Sequence, residues 1–291
     1  MSNWGIILVA AAALCWGLSG GIAGVLIDNQ WSSLTVSFYR GAIGLLFMLM
    51  WLMLSPRGNG FHNPWLWLWS IIAGIGVAGN FYFYFFSIAE SSVAVAATLM
   101  YCAPIFVYLV SFVLNWEHST LWKWLAILLV MIGVVLLTRI YQLDASNVTP
   151  LGVITGLLSA ISLALFIFGF KYATLHGSAP AILTIAFTTL VLALGSMLNY
   201  QQAHQVLTSV DWPLFAALGV LGGGVSFAFY VVGLRQTPPA IASIVAMVEP
   251  VTAALFGVII LGELLVGIQL AGMALILVTV AALGVYSNQS E

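Results

Sequence analysis

Apolar stretches about as long as a membrane is thick alternate along this chain with short polar breaks. The stretches fall near residues 4–27, 33–54, 65–87, 91–114, 121–139, 150–172, 179–199, 212–234, 239–261 and 266–286. A helix crossing the hydrocarbon core needs about 20 mostly apolar residues, and these ten meet that length. The breaks read "DNQWSS", "SPRGNGFHNP", "NWEHST", "YQLDASNVTP", "HGSAP" and "YQQAHQVLTSVD". Connections this short make neighbouring helices antiparallel and leave no segment for a soluble domain. The pattern therefore predicts an all-α integral membrane protein with ten transmembrane helices.

Composition sharpens that picture. Of 291 residues, 63% are hydrophobic and 5% are charged, against about 25% charged in an average soluble domain. Six Lys plus Arg and a net charge of −2 provide no basic patch for nucleic acid. Cys15 and Cys102 both lie in apolar runs, where a thiol behaves as a small hydrophobe; no disulfide is expected. The segment "NWGIILVAAAALCWG" has no positive residues ahead of it, unlike a secretory signal, and is expected to remain as the first membrane helix. With a cytoplasmic N-terminus, Arg57, Lys123, Lys171 and Arg235 fall inside and Arg139 outside. That is the distribution the positive-inside rule favours, and it places both termini in the cytoplasm.

A repeat underlies the pattern. Residues 76–104, "GVAGNFYFYFFSIAESSVAVAATLMYCAP", overlay 222–250, "GGGVSFAFYVVGLRQTPPAIASIVAMVEP", at an offset of 146 with seven of 29 positions identical. Tyr84 meets Tyr230, Pro104 meets Pro250 and, further on, Glu117 meets Glu263. Five helices per half is an odd number, so the second half must cross in the opposite sense, as inverted-repeat transporters do. The halves are expected at 1–140 and 147–288.

Candidate chemistry follows from that symmetry. The run "NFYFYFF" at 80–86 puts Gly76, Asn80, Tyr84 and Ser87 on one helical face, since each residue advances about 100°. The repeat gives Gly222, Ser226, Tyr230 and Gly233 the same face. Such faces are either packing seams of small residues or the walls of a cavity between the halves, where polar groups avoid lipid. The remaining rings, Phe81, Tyr82, Phe83, Phe85 and Phe86, are assigned to the sides and lipid-facing back. Trp16, in "LCWGLSGG", and Ser159, Ser162, Phe166 and Gly169 are further candidate wall residues, with Tyr101 beside the first proline.

Pro104 and Pro250 interrupt the fourth and ninth helices near their middles and should kink them, as packing features or as hinges. Glu249 precedes Pro250 near mid-membrane, where burying a charge costs about 2.5–3.5 kcal/mol on insertion scales. It is either a proton or substrate-amine site or a hydrogen-bonded structural acid; its repeat counterpart is Ala103. Arg40, in "SFYRGAIG", sits about two turns from the outer end of the second helix, where it could snorkel to the membrane edge; it is expected instead to pair structurally with Asp28, Glu90 or Glu263. Glu117 and Glu263 are grouped with it as structural charges. No metal-ligand spacing or phosphate-binding loop occurs in the sequence, so no enzyme activity, metal or cofactor is expected.

The stretch "GLRQTPPAIASIVAMVEPVTAALFGVIILGELLVGIQLAGMALILVTVAALGV" strongly resembles the second EamA repeat of the drug/metabolite transporter superfamily. "LCWGLSGG", "SFYRGAIG", "AESSVAVAATLMYCAPIFVYLVSFVLNWE" and "LAILLVMIGVVLL" resemble the first, although "NWE" stands where "LGE" is usual. The resemblance implies two inverted five-helix repeats around a central cavity and a place in a bacterial inner membrane. It also implies export of small metabolites such as amino acids, and it extends to aromatic amino-acid exporters. The proposed site set is Trp16, Asn80, Tyr84, Tyr101, Ser162, Phe166, Ser226, Tyr230 and Glu249. Expected partners are a small-molecule substrate, the lipid bilayer and coupling protons, with the chain a monomer or homodimer. The alternative is a flippase for lipids or lipid-linked metabolites, which predicts a lateral opening.

Overall fold

The structure, a computed structural model, describes residues 3–55, 58–115, 120–142, 149–262 and 264–289. Glu117 and Glu263, the matched acids of the repeat, lie outside the described residues, as do Arg57 and Asp144. All regular structure among the described residues is helical.

The polar breaks act as helix caps. Ser32 accepts from Thr35 N at the start of α2 (Ser33–Leu54), after α1 (Asn3–Asp28). Asn63 caps α3 (Pro64–Glu90), and its successor Pro64 occupies a position where the missing N–H costs nothing. Ser92 caps α4 (Val93–Met100), which is followed by α5 (Ala103–Val113). Thr120, Thr149 and Ser178 cap α6 (Leu121–Thr138), α7 (Pro150–Ala173) and α8 (Ala179–Gly195). A short helix absent from the sequence expectation, α9 (Tyr200–Val206), fills the long break before α10 (Trp212–Leu218). α10 runs through a π-helical turn, Gly219–Val225, into α11 (Ser226–Gln236). α12 (Pro239–Val245), α13 (Val248–Ile260) and α14 (Gly267–Gln289) complete the order.

Among the described residues, eight helical segments are long and apolar enough to cross a membrane. Two further apolar helices, Ala179–Gly195 and Gly267–Leu283, are shorter. The outer surface is apolar: Leu121 is 90% exposed, Met53 79% and Ile259 74%. Large side chains at such exposure are stable in lipid and would be a liability in water.

Inside, α3 lies along α7 and α8, α1 along α11 and α13, α2 along α8 and the π-helical turn, and α6 along α14. Glycine sets how closely these helices approach. A methyl group on Gly76 of α3 would come within 2.6 Å of the Phe166 backbone nitrogen on α7. Small residues at crossings allow this backbone contact, the usual device where lipid gives helices no hydrophobic reason to associate. Asn80 and Ser159 tie the same pair: the Asn80 amide donates to the Ser159 carbonyl (3.1 Å) and hydroxyl (3.0 Å), and that hydroxyl donates to the Asn80 carbonyl (3.2 Å).

Both prolines sit at helix breaks. α4 ends with Tyr101 N donating to Ala97 O and Cys102 N to Leu99 O, two residues before Pro104. α12 ends similarly, with Met247 N on Ile244 O. The carbonyl of Ala246, which loses its usual helical donor because Pro250 has no N–H, accepts instead from Glu249 N at 2.9 Å. The tightened turn thus satisfies a group that a regular helix would have left open.

Candidate functional site

A cavity of about 470 Å³ lies at the centre of the bundle. It is walled by α1, α2, α3, α4, α7, α11 and the α12–α13 break, with the end of α6 at its edge. Its mouth is marked by exposed Asp28 and by Val93, 59% exposed. It therefore opens at the end of the bundle opposite Asn3. Its floor is aromatic. Trp16 packs at 4.9 Å from the Tyr230 ring, 5.1 Å from Phe227 and 6.3 Å from Phe166. Phe187 then packs against Phe227 at 4.9 Å.

Beyond the floor the helices close on one another. Gly5 of α1 meets Gly233 of α11 backbone to backbone. The Lys171 ammonium donates to the carbonyls of Leu234 (2.8 Å) and Thr237 (2.9 Å). Cations at a helix C-terminus complement its dipole and unpaired carbonyls. The loop before α3 is fastened to the loop before α8, where the Ser178 hydroxyl donates to Asn59 Oδ1 at 2.5 Å. Trp69 stacks on Tyr172 with centroids 4.7 Å apart.

Seven of the nine expected substrate residues line the cavity: Trp16, Asn80, Tyr84, Tyr101, Phe166, Tyr230 and Glu249; so does the hinge candidate Pro250. Ser162 and Ser226 do not line it. Ser162 packs against Gly79, and the fully buried Ser226 hydroxyl donates to Gly222 O at 2.8 Å. Pro104 lies in the opening turn of α5, away from the lining. Phe81 and Phe85, assigned from sequence to the sides and back of α3, face the cavity instead, whereas Phe86 is turned outward.

Arg40 also belongs to this cavity. Among the described residues it forms no ion pair with Asp28 or Glu90. Its Nε donates to the Gly222 carbonyl in the π-helical turn at 3.0 Å, and its guanidinium lies over the Phe81 ring at 5.0 Å. Helical turns of the π kind recur at functional sites, and this one gives the arginine a fixed anchor. Across the cavity, Glu249 is held by its backbone: a methyl group on Gly17 would lie 2.5 Å from the Glu249 carbonyl oxygen. Tyr84, Tyr101 and Arg40 are all close enough to feel the Glu249 charge. Sequence position alone suggested a charge near the membrane edge. The signal missed was the glycine run Gly222–Gly224 opposite it, which admits a large side chain from a neighbouring helix.

An apolar helical bundle with a lipid-compatible surface and a charged, aromatic cavity within defines a multi-pass membrane transport protein. Two stretches, residues 3–139 and 150–285, match the EamA-like transporter family, and the chain belongs to that family. It is 32% identical over 191 residues to an uncharacterized transporter of Archaeoglobus fulgidus, covering 66% of this chain and 67% of that protein. Its fold is similar to a solved crystal structure with a TM-score of 0.76 at 18% identity, covering 98% of each chain. The protein is thus a transporter of the EamA family within the drug/metabolite transporter superfamily.

Proposed function

We propose that this transporter is a secondary exporter of small metabolites, amino acids among them, that works by alternating access to the central cavity. The observation that carries the reading is the cavity's one-sidedness: it opens at one end and is closed at the other by packed rings and glycine-mediated contacts. Its volume lies within the range of small-molecule sites. Charge and aromatic surface together suit a polar solute with an apolar part.

The ten-span, inverted arrangement is part of the same reading. Moved by 146 residues, α1 falls on α7, α3 on α10–α11, the α4–α5 pair on α12–α13, and α6 on α14. The packing pairs exchange under the same move, α1 with α11 becoming α7 with α3. Caps Ser32 and Ser178 share the offset. Ten spans with cytoplasmic termini, as the basic residues favour, would turn the cavity outward. Two packed halves that rock about such a site are the usual route to alternating access, with the breaks before Pro104 and Pro250 as the places to bend.

A lipid flippase calls for a lateral opening of this cavity. The apolar groove on the outer surface, lined by Trp4, Leu8, Phe47 and Phe229 among others, shares no lining residue with it. The solute reading is tested by counterflow. Proteoliposomes preloaded with unlabelled amino acids should concentrate a trace of labelled amino acid, and folded, reconstituted protein that concentrates none of them would count against it.

A further inference from the structure

Among the described residues, Arg40 and Glu249 are the two charged side chains in the depth of the cavity, and no ion pair joins them. The cost of placing two charges inside a membrane is lowest when they neutralise each other directly. Here each has its own scaffold instead: Arg40 donates to Gly222 O, and Glu249 sits on the break before Pro250. Beside them the α1 wall of the same cavity is bare. A methyl group on Gly20 or Gly24 would meet nothing within 4 Å, so these glycines leave room in the cavity rather than permitting helix contact. At the floor, two further groups await partners. The Trp16 indole N–H and the Tyr230 hydroxyl are buried, in residues 5% and 0% exposed, and neither has a hydrogen-bond partner among the described residues. Both residues line the cavity.

We propose that the cavity binds a zwitterion, a small molecule carrying one anionic and one cationic group, with the anion on Arg40 and the cation on Glu249. The inference rests on the solute-carrier reading and names the ligand chemistry of that site. A ligand with no net charge matches two opposite charges that cancel, whereas a pure acid or amine leaves one buried charge uncompensated. Arg40 keeps its Nη groups for the anion because only Nε is committed to Gly222. The remaining part of the ligand lies along Gly20 and Gly24, facing Phe81, Tyr84 and Phe85, with the floor groups within the same space. The charges are particular to each half: moved by 146 residues, Arg40 falls on Ala186 and Glu249 on Ala103. The site is therefore polarised, as a ligand with two unlike ends requires.

Free amino acids and zwitterionic lipid headgroups share this chemistry. The test uses the full-length protein in nanodiscs of phosphatidylglycerol, titrated calorimetrically with phenylalanine, 3-phenylpropanoate, 2-phenylethylamine and phosphoethanolamine. Phenylalanine should bind about 10- to 100-fold more tightly than either single-charge analogue, the range set by one charged hydrogen-bond partner. Arg40→Gln should erase the margin over the amine, and Glu249→Gln the margin over the acid. Arg40→Lys should retain most of the preference, and thermal unfolding of each variant separates lost binding from lost fold. Equal affinity for all three phenyl compounds overturns the zwitterion inference and leaves the solute reading standing. Binding of phosphoethanolamine alone, lost in both charge-neutralised variants, keeps the zwitterion site and overturns the solute reading in favour of a headgroup. If none of the four binds, the inference fails.

Discussion

Gly233→Ala adds one methyl group where α1 and α11 close the bundle beyond the cavity floor. That methyl would lie 2.7 Å from the Gly5 carbonyl oxygen, 3.0 Å from Leu8 Cβ and 3.0 Å from Val9 Cγ2. The first neighbour is backbone and cannot rotate away, so the helices must separate. Overpacking of this kind costs about 1–3 kcal/mol. Alanine is also a better helix former than glycine by roughly 1 kcal/mol, but that gain applies whichever side of the protein is open. Only the clash depends on the closed seam. If the two sides open alternately, the ratio of the two populations shifts by about 5- to 150-fold against the form described here. A cysteine at Gly24, on the open wall of the cavity, reports this ratio through its labelling rate with a membrane-impermeant maleimide added from the cavity side. The rate should fall in the Gly233→Ala background by a factor in that range, wherever the open form limits access. An unchanged rate, in protein that elutes and unfolds like the parent, would refute the idea that this seam parts during transport.

Single cysteines at Tyr84 and Tyr230 should react with the same reagent from one side of the membrane and be protected by substrate; labelling by lipid-soluble reagents alone would place them outside a solute path. Pro250→Ala should leave folding and binding intact but slow turnover, because it restores a donor at the break; an unchanged transport rate would reduce the break to a packing feature. Asn80→Ala removes two donations to Ser159 and should cost about 1 kcal/mol, the scale of a polar contact between membrane helices, read as a small drop in thermal stability. Glu249→Gln should abolish accumulation driven by a proton gradient while exchange persists at raised substrate concentration. Among the described residues, the charged and titratable groups around Glu249 are Arg40, Tyr84 and Tyr101; a variant that still accumulates substrate with the parent's pH dependence would show that the coupling proton is carried elsewhere.

Much of the architecture was legible because membrane helices are written in lengths and breaks. Apolar runs located the helices, and polar residues between them proved to be caps such as Ser32, Asn63, Thr149 and Ser178. Proline marked both broken spans, since a residue without an N–H disrupts the ladder wherever it falls. The π-helical turn at Gly219–Val225 and the short α9 were not legible. Both depend on what packs alongside, the first on Arg40 and Gly44 of α2, the second on Thr35 and Tyr39. The site divides the same way. Residues on the inward face of α3 followed from helical periodicity, but periodicity gives an angle and not a neighbour. It put Ser226 on the Tyr230 side of its helix, but Ser226 bonds to Gly222 and stays buried away from the cavity that Tyr230 lines. It also left Phe81 on the flank, where Arg40 stacks over it.

The glycines of α1 carry the most instructive contrast between packing and function, because one sequence feature serves both. Gly17 and Gly21 are filled from outside the helix, the first by the Glu249 and Thr252 region of α13 and the second by the Phe256 ring. Gly20 and Gly24, on another side of the same helix, are filled by nothing. The first pair lets α13 approach α1 until the Glu249 backbone lies against Gly17. The second keeps open the space into which that carboxylate looks. A leucine at Gly17 would push the charge out of position, whereas a leucine at Gly20 would leave the charges in place and occupy open space in the cavity they line. Stability should therefore fall mainly in the first variant and ligand binding in the second. Thermal unfolding and calorimetry on the two proteins, measured together, distinguish a wall built for a ligand from a seam built for a helix. Equal losses of stability in both would mean that α1 is packed on all sides and that the cavity has no bare wall.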